Sequence, residues 1–130
     1  MEANHLEETE RTSLGAVRIA DEVVAVIAGL AATEIEGLAG MSGGLAGGFA
    51  DMLGRKNLAK GVRVEVGERE TAVNLFVIVE YGTRIPDVSL QVQENVKHAI
   101  ESMTGLKVIE VNVHVQGVSF PEMQEEQRIK

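Results

Sequence analysis

The stretch Pro86 to Gly117, PDVSLQVQENVKHAIESMTGLKVIEVNVHVQG, holds a helix, its stop signal and a strand in one continuous run. From Val88 the apolar residues return as Val92, Val96, Ala99, Ile100 and Met103, in steps of three and four that gather on one side of a helix. Pro86 suits a first helical turn, where its missing N–H is not needed. Asp87 places negative charge near the positive end of the dipole, and Gly105 can take the left-handed conformation that closes the helix. Beyond Gly105 the period becomes two. Ile109, Val111, Val113 and Val115 alternate with Glu110, Asn112, His114 and Gln116, as in a strand with one dry and one wet face. The block reads as a helix packed beside an antiparallel sheet edge or face. Leu90 breaks the pattern on the polar side of the helix, as a scattered exposed residue or as a contact with another subunit.

Upstream, Val62, Val64 and Val66 alternate with Arg63 and Glu65, and Gly67 to Glu70 make a charged hairpin turn. The returning strand, Thr71 to Glu80, is apolar on both sides: Val73, Leu75, Val77 and Val79 on one, Phe76 and Ile78 on the other. That makes it the expected central strand. Near the N-terminus, Val17 and Ile19 predict a short first strand over Ser13 to Ile19. A helix follows from Asp21, with Val23, Val24, Ile27, Leu30, Ala31 and Ile35 as a wide apolar arc and Gly37 as its stop. The expected fold is a small two-layer α+β domain, with a mainly antiparallel (mixed) sheet and two main helices in the order β-α-(Gly-rich segment)-β-β-α-β. The charged stretches 1–12 and 122–130 read as disordered tails around a single domain over 13–121.

Between Gly37 and Gly61 lie eight of the 14 glycines, a composition that favours turns or mobility. Within it Leu45, Phe49, Met52 and Leu53 keep helical spacing, followed by Arg55, Lys56 and Lys60. A short amphipathic helix with a basic end fits this pattern.

At 130 residues the chain accommodates one ordinary core. Aromatic residues make up 3%, so that core must be built from Val, Ile, Leu, Ala and Met. A net charge of −8 argues against nucleic acid, whose backbone is bound by Lys and Arg. Without cysteine there is no disulfide framework, thiolate nucleophile or cysteine zinc site. The opening MEANHLEETER lacks the basic start and apolar stretch of a secretory signal, and the longest apolar run, Val23 to Ala32, falls short of the ~20 residues that cross a bilayer. The expectation is a soluble cytoplasmic protein.

Gly40-Met41-Ser42-Gly43-Gly44 fits the G-x-S-x-G nucleophile turn, and Asp87 with His98 or His114 follows in a suitable order. That motif needs a parallel sheet with more βαβ units than this chain can hold, so a turn in glycine-rich sequence is the expected reading. Around Gly54-Arg55-Lys56-Asn57 the lysine and hydroxyl of a phosphate-binding loop are misplaced. His5, His98 and His114 form no pair at metal-ligand spacing, and no catalytic, cofactor or metal site is expected.

Several segments together resemble the alkaline shock protein family of bacteria. They are Ala20 to Ala28, ADEVVAVIA; Glu36 to Met41, EGLAGM; Lys60 to Glu65, KGVRVE; Val79 to Gly82, VEYG; Val92 to Lys97, VQENVK; and Met103 to Gly117, MTGLKVIEVNVHVQG. The resemblance implies a small bacterial protein without known catalytic activity, linked to envelope stress and homeostasis. It also implies association in some members with a small membrane protein, and in others a genetic link to lipid-synthesis enzymes.

The leading expectation is a non-enzymatic interaction or scaffold protein that self-associates, in the cytoplasm or peripherally at the inner face of the membrane through a membrane-protein partner. Its candidate contact is the stripe Leu45, Phe49, Met52 and Leu53 with Arg55 and Lys56. The wet strand face of Glu110, Asn112, His114 and Gln116 is a second candidate surface. The alternative is a regulatory module that binds a small anionic ligand, such as an acyl-CoA, nucleotide or phosphometabolite, at the glycine-rich segment.

Overall fold

The computed structural model describes residues 13–42 and 59–120. The glycine-rich stripe from Leu45 to Lys56 and both charged tails lie outside the described residues. Six elements follow one another: α1 (Asp21–Thr33), β1 (Leu38–Met41), β2 (Val62–Val66), β3 (Glu70–Glu80), α2 (Ile85–Thr104) and β4 (Lys107–Ser119). Both helices pack on one face of a single four-stranded sheet, which gives the expected two-layer α+β domain.

β3 is central, as its two apolar faces predict. It pairs in parallel with β4 along its whole length on one side. On the other side β2 pairs antiparallel with Thr71 to Leu75, and β1 antiparallel with Val77 to Val79, so two short strands share one edge end to end. The parallel pairing of β4 departs from the antiparallel edge expected of the last strand. Its cause is α2, which carries the chain back along the sheet between β3 and β4, as a parallel crossover requires.

The first strand also lies elsewhere than expected. Residues 13–20 hold no strand beyond a single bridge at Gly15, and Leu14 and Val17 are exposed. The strand is Leu38–Met41, after α1, in sequence whose glycines suggested only a turn. Leu38 and Met41 are buried there, so two anchoring side chains sufficed where periodicity had too few residues to register.

The core joins Val24, Ile27, Ala28 and Ala31 of α1, Val88, Val92, Val96 and Ile100 of α2, and Val73, Leu75, Val77 and Val79 of β3. On α1 the alanines line the core beside Val24 and Ile27. Val23 and Leu30 stay about half exposed while Ala28 and Ala32 are fully buried, because small side chains let α1 lie close to α2. Met103, expected on the buried stripe of α2, is 70% exposed, because the buried row runs in steps of four through Val88, Val92, Val96, Ile100 and Thr104 and passes beside it.

Helix ends follow local chemistry. Gly105 closes α2 at φ 80°, and the Thr104 hydroxyl donates to the Ile100 carbonyl at 2.6 Å while accepting the Leu106 N–H at 3.0 Å. α1 ends at Thr33, before Ile35 and Gly37. Its Ala31 carbonyl, which also takes the Glu34 N–H, accepts the Asn95 side chain of α2 at 2.8 Å, and the same amide reaches Glu34 Oε1 at 3.0 Å. Gly37, at φ 98°, then turns the chain where a Cβ would stand 2.7 Å from Val88 Cγ2. Replacing Asn95 by Ala removes a tie between the two helices. It should lower unfolding stability by about 1 kcal/mol, read as a lower urea midpoint with an unchanged slope.

Candidate interaction surface

With both helices on one side, the other face of the sheet is uncovered by any described element. Pairing register places side chains there in rows. Arg63, Asn74 and Asn112 stand in one row and Phe76 and His114 in the next, with Ile78 between Gly40 and Gly117 beyond them. The wet residues Glu110, Asn112, His114 and Gln116, read from alternation alone, thus join residues of β2 and β3 that sequence reasoning had not gathered with them.

The centre of this face is ordered by direct contacts. The rings of Phe76 and His114 stack at 4.6 Å between centroids with 12° between planes. His114 Nε2 lies 3.0 Å from Asn74 Oδ1, which can only accept, so Nε2 carries the hydrogen. On the other side the Arg63 guanidinium stands 5.7 Å from the centroid of the same Phe76 ring. No carboxylate of the described residues pairs with it within 4.0 Å. The Ser42 hydroxyl donates to Gln116 Oε1 at 2.8 Å. Ser42, Gly61, Val62, Arg63, Phe76 and Gln116 line a shallow depression of ≈ 280 Å³.

Phe76 also holds the backbone together at this point. Ser42 N–H donates to the Phe76 carbonyl at 2.7 Å, and Phe76 N–H donates to the Gly61 carbonyl at 2.8 Å. The residues flanking the glycine-rich segment are therefore fastened to one residue of the central strand. Gly61 sits at φ 79°, and a Cβ there would approach the Ser42 carbonyl oxygen at 2.9 Å and that of Phe76 at 3.0 Å. Glycine is required by both conformation and space.

These positions do not assemble the hydrolase constellation. Ser42 is held by Gln116, Asp87 pairs with Arg84 at 3.3 Å on the exposed start of α2, and His98 is exposed on that helix. Among the described residues no His, Asp and Glu cluster is arranged to hold a metal ion. A depression of ≈ 710 Å³ lies elsewhere, between the end of α1 and the start of α2. Its charged lining is Glu34, Glu36, Glu80 and Asp87 with Arg84, and nothing there is arranged as a nucleophile and base.

The described residues thus form a two-layer α+β domain with one polar and aromatic sheet face that no described element covers. The chain is a member of the alkaline shock protein 23 family, described as having a cell envelope-related function, which it matches over residues 9–120. Its relatives include protein YqhY of Bacillus subtilis, 39% identical over 92% of this chain and 89% of that one. Protein YloU of the same organism is 36% identical over 83% and 92% of the two chains. A stress response regulator gls24 homolog of Streptococcus pyogenes is 34% identical over 84% of this chain and 62% of its own length. No described helix is long and apolar enough to cross a membrane.

Replacing Gly61 by Ala should cost about 2 kcal/mol from the left-handed backbone and the two carbonyl contacts. Hydrogen exchange should locate the loosening at Val62 and at Leu75 to Val77, leaving the α2–β4 half protected.

Proposed function

We propose that this protein is a non-enzymatic interaction protein of the cell-envelope stress response, and that it docks a protein partner on the open sheet face around Phe76 and His114. The observation that carries this reading is the one-sided helix layer. It leaves Arg63, Asn74, Phe76, Asn112, His114 and Gln116 in a connected array on a face that no described element covers. Such a face offers an aromatic anchor, several amides and an arginine with no carboxylate partner among the described residues, and aromatic residues and arginine are what protein interfaces favour at their centres. Family membership supports the envelope setting, and the stress regulator among the relatives supports the stress setting. Action at the inner face of the membrane, through a membrane-protein partner or on lipid-synthesis enzymes, is part of the same reading.

The test compares the wild-type chain with Arg63→Glu and Phe76→Ala as baits in cross-linked bacterial cells. Both variants should keep the wild-type circular dichroism, and Phe76→Ala should lose about 1 kcal/mol with its ring contacts. A reproducible partner set should fall at least about tenfold with each variant, and membrane fractionation should shift toward the soluble fraction. Unchanged partners and unchanged fractionation with folded variants would remove the open face from consideration.

A second reading, a small anionic ligand near the glycine-rich segment, draws on the Arg63 guanidinium beside Ser42 and Gly61 in the ≈ 280 Å³ depression. Acyl-CoA, nucleotides and phosphorylated metabolites should then raise the melting temperature of the wild type and not of Arg63→Glu. Flat melting curves throughout would eliminate it.

A further inference from the structure

β4 borders the sheet and pairs with β3 alone among the described strands. In an extended strand successive residues aim their N–H and C=O groups alternately to the two sides, so the partners seen at a few residues assign the rest. Lys107 N–H donates to the Arg69 carbonyl and Tyr81 N–H to the Ser119 carbonyl, so residues 107 and 119 face the β3 side. Val108 N–H donates instead to Glu101 Oε2 at 2.9 Å, and the Val111 carbonyl accepts from Gln93 Nε2 at 2.9 Å. Residues 108 and 111 therefore face outward. Register shifts at Thr71/Ala72 and Val77/Ile78 bracket a regular stretch between them. Within that stretch Val113 and Val115 share the parity of Val111, and their four backbone polar groups point out along the free edge. None of the four has a partner among the described residues.

Glu101, Lys97, Gln93 and Leu90 follow helical spacing along the side of α2 beside this edge. Glu101 and Gln93 cap the first half of β4, and Lys97 braces Glu101 at 3.7 Å. Leu90, one turn further along, has no polar group to continue the capping and is 53% exposed. The uncapped backbone and the off-pattern apolar side chain thus fall at the same place.

We propose that this edge is a two-fold contact with a second copy of the chain, in which the β4 strands pair antiparallel about His114. Val113 of one copy then exchanges both backbone hydrogen bonds with Val115 of the partner subunit, and the reverse pair completes four bonds. Three observations favour a second copy over a free peptide. Antiparallel pairing of one strand with itself is self-complementary under two-fold symmetry, so no second sequence is needed. A copy brings its own α2 on the same face, which covers Leu90 with its counterpart, whereas an added peptide would cover the backbone alone. The contact window, Leu90, Gln93, Asn112, Val113, His114, Val115 and Gln116, carries no carboxylate, lysine or arginine. Two chains of net charge −8 can approach there without placing acids face to face. The pairing leaves the open sheet face uncovered and extends it across eight strands.

Light scattering during size exclusion of the full chain, over micromolar to submillimolar concentration, should show a monomer–dimer equilibrium. Val113→Pro removes an outward N–H that β3 does not use, so the domain should stay folded while dimerisation weakens at least about tenfold. Should Val113→Pro fail to fold, Leu90→Lys applies the same test at an exposed helix position and should weaken the dimer similarly. Register is read by introducing single cysteines into this cysteine-free chain. His114→Cys places two thiols on directly opposed residues, about 4.5 Å apart at Cα, and should oxidise to a covalent dimer. Asn112→Cys places them about 13 Å apart and should not. A wild type that stays monomeric, a dimer indifferent to Leu90→Lys, equal cross-linking at 112 and 114, or a monomer that binds an extended peptide at this edge would each overturn the proposal.

Discussion

Every strand of this domain depends on the backbone of β3. A strand has two edges, and here β4 takes all of one while β1 and β2 divide the other. The division falls at Phe76, whose N–H and carbonyl are taken by Gly61 and Ser42. An orphaned backbone group in a half-buried strand costs free energy comparable to a lost hydrogen bond. Without both contacts, the middle of the central strand would carry unpaired groups on that edge. One residue therefore joins two short antiparallel pairings into a continuous ladder, and the same residue presents its ring to the open face.

That double use links the stability of the sheet to the proposed docking surface. The backbone of Phe76 is fixed by its neighbours, so its side chain is presented at a set height and angle. His114 then stacks on it from β4 with its Nε2 hydrogen held by Asn74. The helix layer does the complementary work by burying Val73, Leu75, Val77 and Val79 on the other side. A surface built on paired strands is preorganised, and little ordering entropy remains to oppose docking.

α2 acts on both layers. Its apolar stripe closes the core, its Asn95 satisfies the end of α1, and its Gln93 and Glu101 cap the border strand. Capping of this kind protects an edge from indiscriminate pairing, and it stops where Leu90 replaces a polar side chain. The helix thus caps Val108 and Val111 in the first half of β4, and no described residue caps Val113 or Val115.

Much of the fold was legible in the residues. Helix α2, its glycine stop, the hairpin from β2 to β3 and the two-faced character of β3 follow from periods of 3.6 and two and from turn chemistry, all local properties. Half of the candidate surface was legible too, because Glu110, Asn112, His114 and Gln116 alternate with the buried Val111 and the partly buried Val113 and Val115. Tertiary structure alone decided the rest. Four residues of β1 are too few to show a period, and Ser13 to Ile19 shows one without having a strand to pair with. The direction of β4 depends on where α2 returns the chain, and no residue of β4 encodes it. The meeting of Arg63, Phe76 and His114 joins three strands through hydrogen-bond register, a relation between distant segments that alternation within any one of them leaves open.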